Sequence, residues 1–161
     1  MHWETWYKSL SAGEKVNHLF HVCEHCRKRL FDNNLAAADI SATQHRILVI
    51  LNHHKEAVSQ KQLADIIGVT TSTMATTLKK MEQDGLVERT MDKQDNRINN
   101  IVSTEKGKSV MEYGFSIMGA IDKDVVKSFT EDELKQLVVL LEKYQKQLDS
   151  IADKDYVSGQ N

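Results

Sequence analysis

The most informative part of the chain is residues 59–107, which read SQKQLADIIGVTTSTMATTLKKMEQDGLVERTMDKQDNRINNIVSTEKG. Apolar residues recur at helical spacing through Gln60–Ile67, and this predicts a short helix that buries Leu63, Ile66 and Ile67. Everything that follows in the stretch is divided by two glycines, Gly68 and Gly85.

The glycines mark the ends of helices. Gly68 lies where a tight turn needs a residue at positive φ, and Thr70 is the expected N-cap of a second helix, Thr71–Asp84, which Gly85 ends in the left-handed conformation. Two extended runs, LVERTM and INNIVST, then flank the polar tip DKQDNR, which is the pattern of a β-hairpin with a long loop. This order of elements is that of a winged helix-turn-helix. We therefore expect a mainly α fold with a small β-hairpin wing, and a DNA-binding regulator is the leading hypothesis.

The second helix has two chemically different faces. Met74, Leu78 and Met81 share one face and are predicted to pack on the preceding helix. The other face carries hydroxyl, lysine and amide side chains, namely Ser72, Thr73, Thr76, Lys79, Lys80 and Gln83. No acid appears before Glu82, and small hydroxyls can approach base edges while threonine methyls can meet the methyl of thymine. The alternative is that hydroxyls are simply tolerated on an exposed face.

The hairpin tip carries charge of both signs. Lys93 and Arg97 lie beside Asp92 and Asp95, and an arginine at a wing tip can enter the narrow minor groove. Asp95 has the wrong sign for DNA, so we expect it to hold Arg97 in a charge-assisted pair; the alternative is a solvated charged turn. Residues 59–107 contain seven bases and seven acids, so only a segregation of charge can favour DNA.

The N-terminal third is predicted to be helical. Residues 1–10 should form a short helix or arm, and Ser11 with Glu14 is a capping box that starts a helix near Ala12, which we expect to end near Phe31. Residues 32–40 are predicted to be a linker, with a further helical turn through LAAAD, residues 35–39, as the alternative. The apolar face of the helix comprises Val16, Leu19, Val22, Cys23, Cys26 and Leu30.

Further helices are predicted on both sides of the winged unit. Ser41 should cap a helix over residues 42–54 that buries Ile47, Leu48, Ile50 and Leu51, and residues 57–58 should form a tiny strand against the wing. Thr104 should cap a long helix interrupted weakly by Gly107, Gly114 and Gly119, and Thr130 with Glu133 is a second capping box. The last helix is amphipathic through Leu134, Leu137, Val138, Leu141, Tyr144 and Leu148. Terminal helices this apolar on one face favour a dimer.

Composition limits the function classes. The chain has 161 residues and a net charge of −2, so it has no global attraction for nucleic acid. It lacks an apolar run long enough to span a membrane and a signal-peptide layout, and Cys23 and Cys26 do not make a disulfide framework. We expect a cytoplasmic protein. Phosphate-binding and hydrolase motifs are absent, which argues against an enzyme.

Several motifs together resemble the MarR family of bacterial transcription regulators. They are LADIIGV, TTSTMATTLKKMEQDGLVER, DNR and STEKG, and the similarity extends over roughly residues 40–148. The resemblance implies a homodimer clamped by N- and C-terminal helices, with two winged units that bind a pseudo-palindromic double-stranded DNA operator. It implies that the helix Thr71–Asp84 enters the major groove and that Arg97 enters the minor groove, with Asp95 as the aspartate of the family's D-x-R pattern. Ser103, where members usually carry leucine, and the polar pair Asn99 and Asn100 depart from the family pattern.

The predicted DNA-binding residues combine both lines of reasoning. They are Gln60, Lys61, Thr71, Ser72, Thr73, Thr76, Lys79, Lys80, Lys93, Asp95 and Arg97. We expect one domain over residues 1–161, with its DNA-binding part at 41–104 and helical dimerisation parts at 1–40 and 105–152. The expected activity is repression modulated by a small ligand.

Histidine and cysteine residues are the candidates for sensing a metal ion or an oxidant. His18, His21 and His25 form a stripe on the first long helix, and the family has a zinc-sensing branch, but that branch places its histidines in the helix after the wing, where none occurs here. We therefore expect no metal site and no cofactor, with a metal- or thiol-responsive regulator, through Cys23 and Cys26, as the alternative.

By analogy with members that sense small molecules, an aromatic or phenolic effector is expected between the dimer helices and the winged unit. His21, His25, His45 and Arg46 are the predicted lining of that pocket. A winged helix that contacts only proteins is the remaining rival, and DNA titration separates the two because DNA affinity falls steeply with salt.

Overall fold

The computed structural model describes residues 3–54, 58–91 and 99–152. Its elements are, in chain order, α1 (Trp3–Ser9), α2 (Ala12–Ala36), α3 (Ala42–His53), β1 (Val58–Ser59), α4 (Gln60–Ile67), α5 (Thr71–Gln83), β2 (Val87–Met91), β3 (Asn99–Ser103), α6 (Glu105–Val126) and α7 (Glu131–Ser150). This order confirms the predicted mainly α fold with a small wing.

The chain divides into two compact units, Met1–Ile121 and Asp122–Asn161. The main core of the first unit lies inside the winged helix-turn-helix and is built by α3, α4, α5, the sheet and the start of α6. Its fully buried large side chains are Ile47, Leu48, Leu63, Met74, Leu78, Met81 and Ile101. A smaller cluster of Leu35, Ile40 and Ile117 joins α2 to α6. The prediction of a single domain over the whole chain stays a prediction.

The predicted capping boxes are present. Hydroxyl side chains at the N-caps accept from the third helical residue, whose own side chain accepts from the cap backbone, at Ser11–Glu14, Ser41–Gln44, Ser59–Gln62 and Thr130–Glu133. The boxes at Ser11 and Thr130 were predicted, Ser41 was predicted as an N-cap alone, and the box at Ser59 was not predicted. The hydrogen bonds from the hydroxyl and backbone of Ser11 lower the pKa of Glu14 below its ordinary value, because they stabilise the carboxylate.

The two glycine turns around α5 are also as predicted. Gly68 has φ 82° and Gly85 has φ 70°, both in the left-handed region. The residue after each glycine donates its N–H back into the helix it ends, Val69 to the carbonyl of Ala64 and Leu86 to the carbonyl of Met81. Both helix ends are therefore closed by a local hydrogen-bond motif that only glycine adopts easily.

The predicted end of α2 is wrong. The helix continues five residues beyond Phe31 and ends at Ala36, because Leu35 extends its buried face into the smaller core cluster. Asp39 then takes the left-handed conformation, with φ 58°, and the N–H of Ile40 bonds to the carbonyl of Leu35. An aspartate in the role usually taken by glycine was a weak signal in the sequence.

The sheet is antiparallel with strand order β1-β3-β2. Val58 of β1 pairs with Ile101 and Val87 of β2 pairs with Ser103, so β3 is the central strand and pairs with both of the others. The observed first strand is Val58–Ser59 rather than 57–58, and Ala57 lies outside the described residues. The predicted tip, residues 92–98, also lies outside them.

Two helices bury fewer of the predicted core residues than expected, and the predicted interruption of α6 is wrong. Ile67 on α4 is half-buried. On α4, Ile66 is 41% exposed whereas Ala64 is 2% exposed, because the buried face is centred between Leu63 and Ala64 and turns Ile66 outwards. On α3, Ile50 and Leu51 are half-buried at the edge of the core. Helix α6 is continuous through its three glycines, so they do not interrupt it.

Candidate nucleic-acid interface

Helix α5 is held by its apolar face and presents its polar face to solvent. Met74, Leu78 and Met81 are at most 1% exposed, which confirms the predicted packing face. The predicted outward residues Ser72, Thr73, Thr76, Lys79 and Lys80 are all exposed, as are Thr71 and Gln83. The fold therefore presents a continuous surface without acids along the first two and a half turns of the helix.

The hydroxyls on this surface differ in what they can still bind. The Thr70 hydroxyl caps the helix through the Thr73 N–H at 3.1 Å and lies 2.8 Å from the Thr73 hydroxyl. The Thr76 hydroxyl donates to the Ser72 carbonyl at 3.2 Å, so its proton is used within the helix. Thr76 can therefore only accept a further hydrogen bond, which suits the amino groups of adenine or cytosine in the major groove.

Cations border the hydroxyl surface. Lys61 on α4 and Lys79 and Lys80 on α5 are exposed, and none of the three makes an ion pair or hydrogen bond with the described part of the chain. A lysine ammonium that is not engaged within the protein is available to a phosphate oxygen. The segregation of charge that the sequence left open is therefore present on α5, whose acid Glu82 lies beyond the lysines near the C-terminal end.

The structure gives Gln60 a role that the sequence did not predict. Its side-chain amide donates from Nε2 to the carbonyl of Thr71 at 3.3 Å and accepts at Oε1 from Nη2 of Arg89 at 3.4 Å. Arg89 on β2 in turn donates from Nε to Glu82 at 2.8 Å. We call these four residues the Arg89 network. Arg89 was not among the predicted site residues, because its partners lie 7 and 29 positions away in the chain.

The predicted wing contacts cannot be placed. Lys93, Asp95 and Arg97 lie outside the described residues, and their roles stay predictions. The strands that lead to them are described, since β2 and β3 pair from Val87–Ser103 to Met91–Asn99.

Three of the four predicted pocket residues are exposed and the fourth is buried. His21 and His25 are exposed on α2 and Arg46 is exposed on α3. His45 is buried, lies 5.4 Å from the Phe31 ring and 5.7 Å from the Phe115 ring between centroids, and its Nε2 is 3.1 Å from the Met111 carbonyl oxygen. The structure therefore places His45 in the core where α2, α3 and α6 meet.

A different concavity is present between α2 and α6. This α2–α6 groove has a volume of about 600 Å³ and contains none of the four predicted residues. It is lined by Phe20, Cys23, Glu24, Arg27, Lys28, Phe31 and Met118. Its aromatic walls and two cations are suited to an aromatic anion.

The candidate sensor residues are dispersed. His18 packs against the rings of Trp6 and Tyr7, at 5.2 and 5.6 Å between centroids, so it joins α1 to α2. Cys23 is exposed and Cys26 is half-buried, and both are free thiols. Within the described ranges, no three side chains of histidine, cysteine, aspartate or glutamate are arranged to hold a metal ion.

Known proteins with similar sequences and structures share this architecture. The model of the MarR family matches residues 40–98, which run from the end of the α2–α3 connection to the residue before β3. The HTH-type transcriptional regulator BilQ of Clostridium symbiosum is 34% identical over 95 residues, 59% of this chain and 66% of that protein. The chain belongs to the MarR family. The HTH-type transcriptional regulator YybA of Bacillus subtilis is 28% identical over 131 residues, 80% of this chain and 85% of that protein.

Solved structures of the family match over most of the chain. MepR, a transcription regulator of the Staphylococcus aureus multidrug efflux pump MepA, is 28% identical and superposes with a TM-score of 0.77 over 82% of this chain and 97% of MepR. The same protein in complex with DNA superposes with a TM-score of 0.69, over 82% of this chain and 98% of MepR.

These relatives define the general activity. The chain is a transcriptional regulator of the MarR type and not an enzyme. None of the helices among the described residues combines the length and the hydropathy that a membrane span requires.

Proposed function

We propose that the protein is a homodimeric repressor that binds a pseudo-palindromic DNA duplex and releases it when a small aromatic ligand binds. The observation that carries the proposal is the surface of α5, where exposed hydroxyls and unengaged lysines lie opposite the buried Met74, Leu78 and Met81. A helix whose packing face is fixed in this way presents its polar face in one orientation, as base reading in the major groove requires.

The proposed contacts divide into two kinds. Ser72 and Thr76 read base edges from α5, whereas Lys61, Lys79 and Lys80 bind phosphates. The N-terminus of α5 adds favourable backbone N–H groups at Thr71 and Ser72, whereas the Thr73 N–H is capped by the Thr70 hydroxyl.

The wing completes the interface in this proposal. Lys93 binds a phosphate, Arg97 enters the minor groove, and Asp95 orients Arg97. The support is the family's D-x-R pattern, here Asp95 and Arg97, and a paired β2–β3 ladder that leads directly to the tip.

Dimerisation is supported by exposed apolar side chains. On α2, Val16, Leu19 and Leu30 are 43–48% exposed although they share one stripe. On α7, considered by itself, Val139 and Leu140 are 62% and 63% exposed. Contiguous apolar surface of this kind is typical of an interface. A two-fold dimer would separate its recognition helices by about 34 Å, one turn of B-DNA.

The decisive experiment is selection of bound duplexes from a random pool with the full chain. The expected result is an inverted repeat whose half-sites are centred about 10 base pairs apart. If no duplex is enriched, or if enriched duplexes lack symmetry, the proposed mode of binding is wrong. A reporter gene under the selected operator then tests repression, because expression should fall when the protein is present.

Lysine substitution tests the docking of α5. Lys80→Ala and Arg97→Ala are each expected to weaken operator binding about tenfold, because each dimer loses two contacts to the negatively charged duplex. For Lys80→Ala the slope of log K against log salt should shrink by about 1.8, since each lost phosphate contact contributes about 0.9. The measurement is fluorescence anisotropy over a salt series.

The control for this prediction is Lys143→Ala, which removes the same charge from an exposed position on α7 outside the winged unit. It should leave both affinity and slope unchanged. Equal effects at Lys80 and Lys143 would mean that net charge, and not a docked α5, governs binding.

An acid in the apolar stripe of α2 tests the dimer. Leu19→Asp is expected to give a monomer at micromolar concentration by light scattering, because a carboxylate would be buried without a partner in the interface. Operator affinity should fall at least about a hundredfold, since simultaneous engagement of two half-sites is lost.

His25→Asp is the matched control, because it places the same acid at an exposed position about 120° around α2 from Leu19, away from the apolar stripe. It should remain dimeric. A dimeric Leu19→Asp protein would remove α2 from the proposed interface.

Two locations are proposed for the ligand that releases DNA. The sequence-based site comprises His21, His25 and Arg46 on exposed surfaces, with His45 in the core behind them. The α2–α6 groove offers aromatic walls beside Arg27 and Lys28. Calorimetric titration with 2-hydroxybenzoate, on the parent and on Arg27→Gln and Arg46→Gln, distinguishes the two locations. No heat of binding in any of them would exclude this class of effector.

A further inference from the structure

The Arg89 network ties the recognition helix to the rest of the winged unit at both ends. Near its start, the Thr71 carbonyl accepts from Gln60, the first residue of α4. Near its end, Glu82 accepts from Arg89 on β2 at 2.8 Å. Arg89 also donates to Gln60, so a single connected chain of side chains links α4, both ends of α5 and the sheet.

The network also pairs the acidic side chain of α5 with a guanidinium. Glu82 is the only acid within the helix Thr71–Gln83, and its carboxylate is matched by the guanidinium of Arg89. The two side chains are 30% and 33% exposed, so the pair is partly shielded from water. Without Arg89, the C-terminal part of α5 would lose its side-chain hydrogen bond to β2.

We propose that Arg89 is a positioning residue for operator recognition, which fixes the orientation of α5 through Gln60 and Glu82 without touching DNA itself. This role rests on the proposed function. It reassigns Gln60, predicted as a DNA contact, to the same network, because both ends of its amide group are already engaged within the protein.

A positioning role has a specific signature in binding data. Base reading depends on the exact orientation of α5, whereas attraction to phosphates depends mainly on charge and tolerates reorientation. Loss of the network should therefore reduce affinity for the operator more than affinity for a scrambled duplex. Because no phosphate contact is lost, the salt dependence of operator binding should not change.

The test compares Arg89→Gln with the parent on the selected operator and on a scrambled duplex of equal length. The expected result is a loss of about tenfold in operator affinity, a change of less than about twofold on the scrambled duplex, and an unchanged salt slope. Lys143→Gln is the matched control, because it removes one positive charge from an exposed position on α7 outside the network and outside the winged unit, and it should bind like the parent.

Two further variants separate pairing from general damage. The charge-swapped protein, Glu82→Arg with Arg89→Glu, restores the pair and should recover most of the operator affinity lost in Arg89→Gln. Gln60→Met keeps the length of the side chain but removes both hydrogen bonds, and it should lose about threefold in operator affinity with its salt slope intact. Melting temperatures are measured for every variant, so that a folding defect is recognised.

The outcomes are distinct. Equal losses on both duplexes with a smaller salt slope would make Arg89 a phosphate contact, and an operator affinity within twofold of the parent would make it dispensable; either result overturns the role proposed here. A parent protein that selects no duplex overturns the proposed function, and this role with it. A parent that binds while only the variants behave unexpectedly leaves the proposed function intact.

Discussion

Replacing Gly107 by alanine is expected to lower the melting temperature by about 10 °C. A Cβ at this position would overlap the carbonyl oxygen of Leu86, and it would also lie 2.5 Å from the Ser103 hydroxyl and 3.0 Å from Cδ2 of Leu48. The carbonyl belongs to the backbone, so relief requires α6 to move away from the sheet. Overpacking of this kind costs about 3 kcal/mol, or roughly 6–12 °C in a domain of this size.

The same helix supplies the control. A Cβ added at Gly119 meets nothing within 4 Å, so Gly119→Ala changes helix propensity alone and should stabilise the protein by up to about 1 kcal/mol. Thermal denaturation followed by circular dichroism measures both variants. A melting temperature within about 2 °C of the parent corresponds to a change in stability of only about 0.5 kcal/mol. If Gly107→Ala gives that result, the close approach of α6 to Leu86 is not a determinant of stability.

This contrast shows what local sequence could and could not predict. Gly68 and Gly85 were predicted correctly, because a glycine at the end of an apolar-periodic run signals a left-handed turn by itself. Gly107 was interpreted by the same local rules as a weak interruption, but its reason is a contact with Leu86, 21 positions earlier. Propensity describes the residue within its helix, whereas the requirement for glycine arises from another part of the fold.

The candidate interface likewise has one part that the sequence could predict and one part that it could not. The polar face of α5 follows from helical periodicity, which places Met74, Leu78 and Met81 together and leaves Ser72 and Thr76 outside. The Arg89 network does not follow from periodicity, because it joins side chains from three elements. Arg89 counted only as one of seven bases in the sequence, and its pairing with Glu82 became visible only once β2 was placed beside α5.

His45 has a structural contact that the sequence did not predict. It was grouped with His21 and His25 as a ligand contact by analogy with family members that sense small molecules. The fold instead buries His45 between the rings of Phe31 and Phe115, with its Nε2 at the Met111 carbonyl. The His45 imidazole on α3 therefore contacts both α2 and α6. Substitutions that change the space around this ring should change the stability of the fold.

Gly114→Ala tests this junction. A Cβ on Gly114 would overlap the His45 imidazole at Nε2 and Cδ2 and would lie 2.9 Å from Cε1, and His45 cannot swing aside while its ring is enclosed by two aromatic side chains. The expected loss is about 3 kcal/mol in the free energy of unfolding, measured by urea denaturation. His45→Ala alone should cost about 2–4 kcal/mol, because it opens a cavity in the same place.

The double variant is the sharper measurement. With His45→Ala in the background, the added methyl group of Gly114→Ala enters space that the imidazole has vacated, so it should cost nothing or even restore some stability. The two substitutions should therefore be strongly non-additive, with a coupling energy of about 2–3 kcal/mol, whereas substitutions at independent sites add within about 0.5 kcal/mol. Additive losses would mean that Gly114 and His45 act separately. A strong coupling would establish that α3 packs against α6 through the His45 imidazole, which occupies the space that a side chain at position 114 would fill.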